Sequence, residues 1–160
     1  MDCAPKDKKA FYIEALNPNM DSFLEQAKTQ KVGNIEYPIF FWLNEIAKTC
    51  KGKSAPFKVL DFGGGCGGHY FSFVNTARIL DPHDSLIDNL QWQVAELPKQ
   101  VEFGNKIAHT LCVKNLHFTT TSLTKADMHN VLLDSGVFMY IENILDLFKA
   151  YCVNNGGSTL

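Results

Sequence analysis

A chain of 160 residues with 46% apolar and 20% charged residues has the make-up of one folded domain, which excludes a disordered tail. Its formal net charge is −2, Arg78 is the sole arginine among 15 basic residues, and no basic cluster is interleaved with aromatics, so no nucleic-acid groove is expected. Five cysteines without a C-x-x-C pair, five histidines without metal-ligand spacing and the lack of a long apolar run lead us to expect a cytoplasmic protein with free thiols, no metal and no membrane span.

The first fifty residues read as helical. In "NMDSFLEQAK", Ser22 followed by Glu25 has the spacing of a capping box, which satisfies free N–H groups at a helix start. "EYPIFFWLNEIAKTC" follows as a second helix, with Pro38 in its first turn and Ile39, Trp42, Leu43 and Ile46 on the expected inward face. The polar stretch "KGKSAP" closes this unit, so a helical extension over 1–54 and a second unit over 55–160 are expected.

From Phe57 the texture changes. "FKVLDF" reads as a strand, "YFSFVNTARIL" as a helix stopped by "DPHD", and "LQWQVAE" as a second strand. "PKQVEFGNKIAHTLC" is a helix with Val101, Ile107, Ala108 and Leu111 inward, and "NLHFTT" and "NVLLD" are third and fourth strands. "ENILDLFKAYCV" is a last helix, with Ile144, Leu145, Phe148 and Tyr151 or Cys152 inward. Strands alternating with helices predict an α/β fold with a Rossmann-like parallel sheet of about four strands. The connection from Thr121 to Asn130 is short for a crossover and predicts one or two helical turns.

Five of the 11 glycines fall within Gly63–Gly68, directly after the first strand. Glycines there let the chain turn sharply, clear Cβ atoms from a ligand's path and leave N–H groups free at a helix start. Two ligand patterns fit. Gly63, Gly65 and Gly68 satisfy the dinucleotide fingerprint G-x-G-x-x-G, while Asp61, Gly63, Gly65 and Gly67 satisfy D-x-G-x-G-x-G, the pattern of S-adenosylmethionine (SAM) sites. Asp61 separates them. A carboxylate at the strand end repels a pyrophosphate but suits the cationic methionine portion of SAM, directly or through water. Cys66 within the loop reads as a small residue in a tight space, and Trp92 as core.

"VLDFGGGCGG" resembles motif I of the class I SAM-dependent methyltransferases. "LDFGG", "WQVAE" and "DSGVFMYI" together are closer still to a little-characterised bacterial subgroup of that family. The resemblance, over about Phe57 to Val153, implies SAM as methyl donor and a small, hydroxylated acceptor. It implies cofactor contacts from Asp61, Phe62, Gly63, Gly64, Gly65 and Gly67, with Glu96 on the ribose hydroxyls beside Leu97. Ser122 and Ser135 would contact adenine or the methionine carboxylate, and Gly136, after the fourth strand, is a further cofactor contact. Glu96 lies 28 residues past Gly68, longer than a compact unit requires, and the excess fits in "DPHDSLIDN". His69 and Tyr140 are the candidates for touching substrate, and neither is a convincing base.

The family's sheet usually has seven strands, whereas this sequence supplies four, with "NNGGSTL" as the start of a fifth. The expectation is therefore an incomplete class I fold whose fourth strand is an open edge that invites pairing. Three accounts follow: a truncated gene product, a subunit completed by a partner or a second copy, or a degenerate module that binds SAM without methyl transfer. An NAD-type dinucleotide-binding fragment is the lesser alternative.

Overall fold

The computed structural model describes residues 19–33, 36–50, 55–82, 87–120, 122–123, 129–134 and 136–154. Helices α1 (Met20–Thr29) and α2 (Tyr37–Cys50) precede strand β1 (Phe57–Phe62). Helix α3 (Gly68–Leu80), β2 (Leu90–Ala95), α4 (Pro98–Thr110), β3 (Leu116–Thr119) and β4 (Val131–Asp134) follow in turn. A 3-10 turn (Phe138–Tyr140) leads into α5 (Ile144–Asn154).

The strands form one four-stranded sheet in the order β3-β2-β1-β4, and every pairing is parallel. The chain runs outward from β1 through β2 to β3, then returns across β1 to place β4 on its far side. That reversal puts a crevice at the carboxyl ends of β1 and β4, where open α/β sheets bind ligands.

Side chains of β1 alternate between two apolar layers, as a strand covered on both faces requires. Phe57 and Val59 enter a large core with Leu43, Phe73, Val74, Trp92 and Ile107, whereas Leu60 enters a smaller one with Ala95, Leu123 and Tyr151. The amino-terminal helices belong to the larger core through Ala27, Phe40, Leu43 and Ala47. They are also tied to α3 by polar bonds. The Asn75 amide donates to the Ala27 and Gln30 carbonyls at 2.9 Å each, and the Val32 N–H donates to Thr76 Oγ1 at 2.9 Å.

Three local expectations are corrected. Helix α1 is capped by Asn19, whose Oδ1 accepts from the Asp21 and Ser22 N–H groups at 3.0 and 3.4 Å, so Ser22 lies inside the helix. Glu25 pairs with Lys28 at 2.9 Å instead of reaching back. In α2 the buried row is Phe40, Leu43 and Ala47, with Ile39 and Ile46 half-buried and Trp42 64% exposed. In α5, Tyr151 is buried and Ile144, Leu147 and Cys152 half-buried, while Leu145 and Phe148 point outward. In α4, Ile107 and Ala108 are buried as expected, joined by Gln100 and Gly104, and Val101 and Leu111 are half-buried. The helical turns expected between β3 and β4 lie largely outside the described residues.

Candidate functional site

The turn after β1 is built by short-range contacts that glycine permits. A Cβ at Gly64 would overlap the Asp61 carboxylate, so the loop folds directly over that side chain. Gly65 has φ +60, a left-handed conformation costly for other residues, and its Cβ direction is open space. Gly67 then opens α3, and Gly63 lies against Val137 from the segment after β4.

Asp61 is wholly buried, and its charge is met from two sides. The Trp92 indole N–H donates to Oδ2 at 3.2 Å, and His69 Nδ1 lies 3.3 and 3.2 Å from Oδ1 and Oδ2. A carboxylate only accepts, so Nδ1 carries the proton. The His69 pKa is raised from its ordinary 6.5, first by that hydrogen bond, against an opposing effect of burial, with the charges of Asp61 and Glu36 adding to the rise. Asp61 thus sits beneath the loop as its anchor, and the contacts it makes are internal.

Glu96, at the tip of β2, reaches across to the loop. Its Oε1 accepts from the Gly65 N–H at 3.1 Å and its Oε2 from the Leu97 N–H at 2.7 Å. On the other flank, Cys66 Sγ donates to Gln100 Oε1 at 3.1 Å in a buried contact that pins the loop to α4. Burial, and then the Glu96 charge, push the Cys66 thiol up to about 11, so it stays protonated and unreactive at neutral pH.

Beside this loop, over the carboxyl ends of the strands, lies a cavity of about 340 Å³. Its walls are mostly apolar, with Phe62, Ala95, Leu97, Val137 and Ile141, and its polar groups are Glu96, Thr120 and Ser122. That composition and size suit a small organic ligand with a few oriented polar groups. A larger cavity of about 550 Å³ lies between α1, α3 and the turn before β3, lined by Arg78, Lys114 and Asn115 among others. It is at the opposite ends of the strands and includes no loop residue.

No protein-family model matches the chain, and no curated protein matches it in sequence. Solved structures match it in shape. A proposed sarcosine dimethylglycine methyltransferase from Galdieria sulphuraria superposes on 94% of this chain and 56% of its own, with a TM-score of 0.53 and 15% identity. The plantazolicin methyltransferase BpumL, solved in complex with SAH, covers 93% of this chain and 50% of its own, with a TM-score of 0.51 and 15% identity. Over the matched residues the fold is shared with these methyltransferases. This chain spans about half the length of each of these two structures.

Within this fold, the structure brings Phe62, Gly63, Glu96, Leu97 and Ser122 to one cavity, with Gly65 joined to it through Glu96. Gly64 and Gly67 shape the loop without lining the cavity, and Asp61 lies beneath it. Ser135 lies outside the described residues. Gly136, with φ +84, donates its N–H to Asp134 Oδ2 at 3.2 Å. Neither His69 nor Tyr140 lines the cavity, and Tyr140 is exposed on the 3-10 turn.

Sequence reasoning missed Asp134 and Gln100. Asp134 Oδ1 accepts from the Val137 and Phe138 N–H groups at 3.1 Å each, fixing the segment that delivers Val137 and Ile141 to the cavity. The signal was there in "LLDSG", an Asp two residues before Gly at a strand end, which favours such a turn. Nothing in the sequence marks Gln100 apart from any other helical glutamine.

Proposed function

We propose that this chain binds SAM between the glycine loop and the tip of β2, as the cofactor half of a methyltransferase acting on a small, hydroxylated acceptor. The observation that carries the reading is Glu96, whose carboxylate faces the Gly65 N–H from the next strand tip, at the edge of the cavity. A half-buried carboxylate in that place is an acceptor for ribose hydroxyls.

The residues present fit the cofactor. Gly65 offers bare backbone toward open space, Leu97, Val137 and Ile141 offer an apolar wall for adenine, and Ser122 and Thr120 supply polar groups at its edge. When bound, SAM supplies a methyl group on a sulfonium that a nucleophile displaces in line. The chain's own contribution is to hold the loop, exclude water with its apolar wall and orient the ribose, so it acts by positioning. Glu96 is the only titratable side chain lining the cavity among the described residues.

A second reading is a module that binds SAM without methyl transfer and serves in assembly. It is favoured by the large side chains exposed in the segment after β4, including Met139 at 75% and Leu145 at 71%. Incubation with methyl-labelled SAM and a panel of sugars and other small alcohols separates the two. Label transfer supports the enzyme; binding without transfer, in a stable oligomer, supports the module. The dinucleotide reading, in which a carboxylate at the tip of β2 would also serve a ribose, is tested by titration with NAD.

A further inference from the structure

We infer that His69 is a positioning residue: through Asp61 it holds the glycine loop, making the loop's order depend on the proton that His69 carries. The inference rests on the reading of the loop as a SAM site for its binding arm only.

The geometry is specific. His69 stands in the first turn of α3, and its Nδ1 faces both oxygens of a carboxylate that has no exposure at all. That carboxylate lies directly beneath Gly64, so any shift of Asp61 moves the loop backbone. A fully buried carboxylate facing a neutral ring has two dipolar donors, Trp92 and His69; facing an imidazolium it has a counter-ion as well. On its other side the ring shares a small cavity with Glu36, just before α2, and with Val32, Ile39, Phe40 and Leu43. Asp61 from β1 and Glu36 from just before α2 are therefore the titratable groups facing His69 among the described residues, and both are acidic. Both favour the charged ring.

His69 thus couples α2 and the segment before it, the first turn of α3 and the loop. It does so without lining the ligand cavity. Its role is therefore exerted through Asp61 and not on a substrate.

The experiment is a pH series from about 5 to about 9, spanning the histidine range. In a Trp42→Phe background, emission reports Trp92 alone, since the chain has two tryptophans. We expect a single emission step with a midpoint above 6.5, absent in His69→Gln, which keeps a donor but does not titrate. Calorimetric titration with S-adenosylhomocysteine (SAH) should show affinity falling roughly tenfold from the acid to the alkaline end, with a flat profile in His69→Gln. A flat emission profile in the parent chain, or an unchanged step in His69→Gln, overturns the inference. The parent series needs no variant to fold. If SAH fails to bind at any pH, the SAM reading fails, and the emission step alone decides the role of His69.

Discussion

The Trp92 indole N–H donates to Asp61 Oδ2 across neighbouring strands, with both side chains fully buried. A tryptophan that fills the core with its rings also carries one of the donors holding the loop carboxylate. Trp92→Phe should therefore cost more than lost packing. The withdrawn hydrogen bond to a buried charge adds about 1.5–3 kcal/mol, measurable by urea unfolding. Combined with Asp61→Asn in a double-mutant cycle, the two changes should couple by about 1 kcal/mol or more. Additive effects would mean that the bond stabilises nothing.

The pairing of His69 with Asp61 fixes the sign of a pH effect on stability. The histidine's pKa is raised in the folded chain from its ordinary 6.5, by the Asp61 hydrogen bond foremost. Its contribution is therefore fully present below about 6.5 and is lost as pH rises through the folded-state value. Unfolding free energy followed across this window should decline with rising pH, and should decline less in His69→Gln. A steeper alkaline decline in the variant would reverse the assignment.

Gly64 and Ser72 make a contrasting pair. Gly64→Ala drives a Cβ into the Asp61 carboxylate, which has no room to retreat, and should cost about 1–3 kcal/mol. Ser72 is buried in α3, and its Oγ has no hydrogen-bond partner. Ser72→Ala removes that unmet group at little loss of volume, so it should leave stability unchanged or raise it. Thermal unfolding of both variants checks the two signs together.

The thiols should differ sharply in reactivity. Cys66 is buried and its pKa is pushed up to about 11, whereas Cys112 is exposed. Mass spectrometry after brief iodoacetamide treatment at neutral pH should find Cys112 modified and Cys66 intact. Early labelling of Cys66 would mean that the loop opens readily.

The strands were legible because they are short apolar runs ending at turns, and the glycine cluster marks where the first one stops. The run "FKVLDF" coincides with β1 as the structure bounds it, Phe57–Phe62. The direction of helical faces was less legible. In α2, Ile39 through Leu43 is an unbroken apolar run, so periodicity fits more than one stripe. Burial against α3 and the sheet selects Phe40, Leu43 and Ala47. The cap of α1 was misplaced because Asn19 and Ser22 both suit a helix start, and only the backbone path decides between them. At the site, Glu96 and the loop could be named from sequence, but the inward turn of Asp61 could not. Its partners, Trp92 and His69, are 31 and 8 residues away along the chain and meet only in the fold.

The central claim is that Glu96 and the glycine loop form a SAM site. Calorimetric titration with SAH and with NAD, on the parent chain and on Glu96→Gln, tests it most directly. We expect SAH binding, no response to NAD, and SAH affinity roughly tenfold weaker in the variant through loss of charged hydrogen bonds to the ribose. Tight NAD binding without an SAH response, or SAH affinity untouched by Glu96→Gln, would contradict it.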